Sequence, residues 1–194
     1  MFTRKLLIAA LAGSALSLSA CSNDNAGDTG ADTAATEPSS QTLAALIGDA
    51  DGYDTVADAM QEAGLSEVFD GNAAYTVLLP SDQSFQALEE GAPALDGEQK
   101  RAAMVAILRD HIFPGYFTPE DIAKSIGEED GSSVSMKSMG QHELKFTRMG
   151  DTITVTNSSD GSTATIDGNA MVGSNGVAIP LDGVLKKVEP EAAA

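Results

Sequence analysis

The sequence predicts an α+β domain, on three observations. Apolar residues recur at helical spacing through the front half of the chain, and they alternate with polar ones through the back half. Helices followed by strands, rather than the two in alternation, argue for α+β and against a doubly wound parallel sheet. No glycine-rich phosphate-cradling loop accompanies a strand–helix junction.

In chain order, Val56, Ala59, Met60 and Ala63 form an i, i+3, i+4, i+7 stripe that Gly64 stops. Tyr75-Thr76-Val77-Leu78-Leu79 reads as a buried strand ended by Pro80, and Ser81 is placed to cap a helix that carries Phe85 and Leu88 inward. Met104, Ile107, Leu108 and His111 form a second stripe, which points His111 at the core. Thr118-Pro119-Glu120-Asp121 is a helix start: Thr118 caps, Pro119 takes the first turn, and Asp121 reaches back to the cap amide. That helix buries Ile122 and Ile126 and ends near Gly127. Val134/Met136, Leu144/Phe146, Ile153/Val155 and Ala164/Ile166 are period-2 pairs, the mark of strands with one buried face. Gly150-Asp151 and Asp160-Gly161 read as turns between them. Asn175-Gly176 reads as the strongest turn signal, since both residues accept positive φ, before Val177, Ile179 and Leu181 alternate again.

Eleven basic against 29 acidic residues, a net charge of -18, exclude the clustered Lys and Arg of a nucleic-acid binder. Arg4 and Lys5, the apolar run from Leu6 to Ala12 and the small residues after it have the order of a secretory signal. Leu18-Ser19-Ala20-Cys21 resembles the lipobox of bacterial lipoproteins. That resemblance implies removal of residues 1–20 and acylation of Cys21, the sole cysteine, so that the protein meets a membrane through its lipid. Ser22 at the following position suggests passage to the outer membrane, on either its periplasmic or its outer side. Residues 21–40 hold small and polar residues and no large apolar side chain. They read as a disordered acidic tether holding the domain roughly 25 Å from the bilayer. Residues 41–189 are one domain, and 190–194 a frayed tail.

The segment from Tyr75 through Pro80, Ser81, Asp82 and Phe85 resembles the first signature of the fasciclin-type domain. Asn175-Gly176-Val177-Ala178-Ile179-Pro180-Leu181 resembles the second, and His111-Ile112-Phe113-Pro114-Gly115 the central stretch between them. The resemblance runs over 41–189. It implies a strand-rich wedge with helices packed to one side, and adhesion or matrix interaction; no nucleophile, base and orienting acid group together in sequence, so catalysis is not expected. Thr76, Pro80, Ser81, Asp82, Phe85, His111, Asn175 and Gly176 are then the structural motif. Two positions depart from the family pattern: Asp110 stands where Tyr often precedes the His, and Ala170-Met171 where some animal members carry an Asp-Ile pair linked to integrin binding.

Candidate chemistry is sparse. His111 is expected to be a core histidine bonded to the backbone, or to Ser81 or Asp82. Ser81 lacks the glycine-flanked elbow of a hydrolase. His111 and His142 with a single cysteine are too few for a zinc site, and Tyr53 and Met60 break a calcium loop begun at Asp49, Asp51 and Asp54. Asn157-Ser158-Ser159 matches a glycosylation acceptor by chance. Met136, Met139, Met149 and Met171 fill the core or line a groove. No cofactor is expected. The partner is a matrix polymer or another protein, met by exposed loops at 114–118 and 138–141; the alternative is carriage of a small apolar ligand such as a pigment or lipid.

Overall fold

The computed structural model describes residues 38–91 and 97–187. The signal, Cys21, most of the tether and the tail lie outside the described residues. Six helices and eight strands follow in order: α1 (Leu43–Gly48), α2 (Asp54–Glu62), α3 (Ser66–Phe69), β1 (Tyr75–Pro80), α4 (Asp82–Gly91), α5 (Gly97–Asp110), β2 (Ile112–Pro114) and α6 (Pro119–Ile126). The strands β3 (Ser133–Lys137), β4 (Glu143–Met149), β5 (Thr152–Asn157), β6 (Thr163–Thr165), β7 (Met171–Val172) and β8 (Gly176–Leu181) complete the described part.

The strands make two four-stranded sheets. One is an antiparallel meander, β3-β4-β5-β6, whose 3–7-residue strands come from the period-2 pairs. The other has the order β2-β1-β8-β7, with the first and last signatures paired in parallel from Tyr75↔Gly176 to Pro80↔Leu181. An antiparallel bridge, Ile166↔Leu181, ties the end of the meander to β8.

Two hydrophobic cores lie on the two faces of the mixed sheet. Val77, Leu79 and Ala178 face Leu43, Ile47, Val56, Phe69, Phe85 and Leu108 from the helices α1 to α5. Leu78, Val177, Ile179 and Leu181 face Leu144, Phe146 and Val155 of the meander together with Ile122 and Ile126. Five helices thus pack on one face, and α6 closes the second core beside the meander. Both faces of β8 are buried, which the alternation of Val177, Ile179 and Leu181 did not predict. A parallel pair at the centre of a layered fold has no solvent face. On the other face Ala178 joins the helix-side core, and Gly176 lets Leu43 of α1 come close.

The helix boundaries follow local chemistry. Thr118 and Asp121 form the full capping box, and Gly127 at φ 93° ends α6. Gly64 at φ 68° follows α2. The first described residues are tied to the sheet edge: the Ser39 N–H donates to Val172 O at 2.7 Å, and the Ser174 N–H to Gln41 O at 2.9 Å. A division of the chain at residue 41 leaves Ser39 in the tether, yet its amide is already part of the domain.

Candidate functional site

The three signature segments come together around β1 and β8, and their polar side chains turn inward. Thr76 is 1% exposed. Its Oγ1 donates to Gly115 O at 3.0 Å and accepts from the Phe117 N–H at 2.9 Å, which pins the chain after β2. Ser81 Oγ accepts from the Ser84 N–H at 3.3 Å, the bond of a helix cap on α4. Pro80 ends β1 opposite Leu181, and Phe85 is buried in the helix-side core.

Asp82 caps a different helix from its own. Its carboxylate accepts from the Thr55 N–H at 2.8 Å and the Asp54 N–H at 3.2 Å, while its own N–H donates to Gly52 O at 2.9 Å. The residue before α2 is Tyr53, which makes no side-chain cap bond, so Asp82 fills the vacancy across 28 residues. The sequence offers no local signal for this. Burial beside the Asp167 and Asp82 charges raises the pKa of the Tyr53 phenol.

His111 is 1% exposed and bonded only to backbone. Its Nδ1 lies 2.8 Å from Ile107 O, and its Nε2 accepts from the Leu185 N–H at 3.0 Å. An acceptor at Nε2 and a donor at Nδ1 fix the neutral Nδ1–H tautomer. Burial pushes the imidazole down to about 4, against the weaker upward pulls of the Ile107 carbonyl and of Asp110. The expected alternative partners, Ser81 and Asp82, are engaged elsewhere. His111 instead staples the end of α5 to the chain after β8.

Asp110, next to it, is 4% exposed, and its Oδ1 lies 2.7 Å from His142 Nδ1. Ser138 lies four residues before His142, so the residue types of a hydrolytic triad meet in space, which the sequence did not reveal. They do not form one. Ser138 Oγ is sealed from solvent and makes no hydrogen bond, so it is neither activated by His142 nor open to a substrate. The backbone here leaves no slack: the Met139 N–H donates to Ile112 O, the Gly140 N–H to Arg109 O, and a Cβ on Gly140 would run into the Asp110 carboxylate.

Asn175 is not the positive-φ turn residue that the Asn-Gly pair predicts; neither it nor Gly176 has positive φ. The two-residue loop is Ser174-Asn175, closed by the Gly173 N–H on Gly176 O at 2.8 Å. The Asn175 side chain accepts from the Leu43 N–H at 2.7 Å and donates to Phe69 O and Gly71 O at 2.5 and 2.7 Å, so that it fastens α1 and the end of α3 to the sheet. Gly176 is required by close approach: a Cβ there would lie 2.5 Å from Tyr75 O and 2.7 Å from Leu43 Cδ2.

The loops expected to be exposed are largely committed. Ser138 is buried, Thr118 caps α6, and Tyr116 Oη donates to Gly173 O at 3.1 Å. Asn157 is 0% exposed and its amide donates to Leu185 O, so it offers no glycosylation site in the folded chain. Met139 and Met171 pack against the helix-side core and Met136 against the other, whereas Met149 is 60% exposed. Among the described residues no three His, Cys, Asp or Glu side chains are grouped to hold a metal ion. A cleft between α2, α4 and α5 is lined by Asp58, Glu62, Glu89, Lys100, Arg101 and Met104, with ion pairs Lys100–Glu89 at 2.7 Å and Arg101–Glu62 at 3.5 Å. So charged a lining does not suit an apolar ligand.

No curated protein sequence matches the chain. Among solved structures it is similar to a pair of fasciclin-type domains from the insect cell adhesion molecule fasciclin I. The match has 20% identity and a TM-score of 0.56, covering 69% of this chain and 45% of that one. The chain thus spans less than half of that structure, and at this identity the likeness concerns the fold. The fasciclin domain model matches residues 51–187, from the entry to α2 to beyond β8, and so takes in all three signature segments. The chain belongs to the fasciclin domain family.

Proposed function

We propose that the protein is a non-enzymatic lipoprotein of the bacterial cell envelope, anchored through Cys21 in the outer membrane, whose fasciclin domain binds a matrix polymer or another protein in adhesion. Fasciclin domains are cell-adhesion modules, and the similar insect structure comes from a cell adhesion molecule. One observation carries the reading: the polar side chains of the signature segments are spent on the fold itself. Thr76, Ser81, Asp82, His111 and Asn175 all bond within the domain, so they hold a shape and present no reactive group. What remains for a partner is the outer surface.

The anchor is tested separately from the binding. Cells fed a radiolabelled fatty acid should label the wild-type chain and not Cys21→Ser, which should move to the soluble fraction. The adhesion role predicts that deleting the gene lowers surface attachment or biofilm and that the wild-type gene restores it. Unchanged attachment under every condition tried would refute it.

A further inference from the structure

The meander β3-β4-β5-β6 buries Leu144, Phe146, Ile153, Val155 and Ala164, so the alternate residues form its outer face. The register lines these up in rows. Ser133↔Thr147, Thr147↔Thr154 and Thr154↔Thr165 run across all four strands as an unbroken row of hydroxyls. In the next row Lys145 stands between Ser135 and Thr156. Strand spacing and pleat set a grid of about 4.8 by 6.7 Å. None of these side chains makes a hydrogen bond or ion pair within the protein among the described residues. The face also carries no aromatic ring.

Charge sets this face apart. The chain holds 29 acidic residues, yet within the four strands Glu143 is the only one; Lys137 and Lys145 share its face, whereas Arg148 alternates with them and donates to Gly150 O. A polyanion would be repelled by the molecule as a whole, and a polycation would be drawn to the acidic surface elsewhere. On this face Glu143 stands opposite Lys137 and leaves Lys145 as the one unbalanced charge, so the partner that matches its rows of free donors and acceptors is an uncharged chain bearing the same groups. We propose that the outer face of the meander binds a neutral polysaccharide, its Ser and Thr hydroxyls exchanging hydrogen bonds with those of the sugar rings. This inference rests on the adhesion reading and names its partner and its surface.

The test uses the full acylated chain in nonionic detergent, applied at about 0.15 M salt, where the Debye length is about 8 Å, to beads of cross-linked dextran, insoluble β-glucan, heparin and immobilised gelatin. Retention on a neutral polysaccharide is expected. It should fall about ten-fold in the variant Thr147→Val/Thr154→Val/Thr156→Val. Valine keeps shape and strand preference, so the thermal midpoint should hold. If that variant is unstable, Thr154→Lys serves in its place, since it blocks the row without changing its neighbours. Lys100→Ala/Arg101→Ala in the helical cleft should bind as wild type. Retention on heparin or gelatin alone, retention on no bead, or retention indifferent to the threonines overturns the proposal. If the gene deletion lowers attachment but the threonine variant restores it, the surface is wrong and adhesion stands. If the purified chain binds glucan but deletion changes nothing, adhesion is wrong and the surface stands.

Discussion

At the scale of single residues, His111 shows how a residue type that invites a catalytic reading can serve packing. Its neutral ring accepts from Leu185 and donates to Ile107, and a proton on Nε2 would set two donors against each other. Its folded pKa, about 4, lies below the ordinary 6.5. Between those values the unfolded chain binds the proton that the native chain refuses, so the contribution is full above pH 6.5 and is lost as pH falls toward 4. The loss amounts to about 3 kcal/mol. Urea midpoints should therefore drop from pH 7 to pH 4.5 more steeply in wild type than in His111→Ala, which should already be destabilised at pH 7. Equal slopes would show that His111 does not govern the dependence. Gly140 makes a second case. Gly140→Ala places a methyl in the Asp110 carboxylate and should cost about 2 kcal/mol. The double variant with Asp110→Ala should cost less than the sum of the single ones, read by chemical denaturation. The inward direction of His111 was legible from its stripe. Its partner Leu185 was not, because it lies 74 residues away and the contact is made by backbone.

At the scale of elements, what alternation could show followed the number of solvent faces; β1, buried along its length, was read instead from its continuous apolar run. Strands β4 and β5 were readable because each keeps one face in water, which forces polar and apolar residues to alternate. Strand β8 has no such face, and β2 and β7, of three and two residues, are too short to carry a period. The cap of α6 lies within four neighbouring residues and was plain. The cap of α2 arrives from Asp82 and was invisible, since nothing in Tyr53-Asp54-Thr55 requests it. Asp82→Ala should destabilise the domain by about 1 kcal/mol and speed amide exchange at Thr55 first. Asp82→Asn, which keeps one acceptor, should recover part of that loss. Protection at Thr55 unchanged in the alanine variant would remove Asp82 from this role. The same blindness to distant partners explains Asn175: an Asn-Gly pair is a local turn signal, but here the asparagine amide is consumed by Leu43, Phe69 and Gly71.

At the scale of the whole molecule, the parallel pairing of β1 with β8 closes the domain around its last strand. Tyr75 meets Gly176 across 101 residues, and both cores are lined by β8. Such non-local pairing has a large loop-closure cost and folds slowly. A chain ended after Gly173 should lack both cores and show no cooperative thermal transition, whereas one ended after Lys187 should melt as wild type; calorimetry distinguishes them. The order of helices and strands was visible in the sequence. That the first and last signatures are neighbours was not legible in the sequence, because a parallel pair leaves no turn between its strands to be read.

The attachment of the first described residues to the sheet edge has a mechanical consequence. If the chain is anchored through Cys21 as proposed, tension from its N-terminal side reaches Ser39, pulls first on its bond to Val172 and on the bonds of Ser174 to Gln41, and reaches Asn175 next. The first contacts peel one at a time under little force and give slack, whereas the asparagine grips three segments at once and resists as a buckle. Stretching single molecules from the N-terminus should give a small early extension, then a larger rupture that Asn175→Ala weakens.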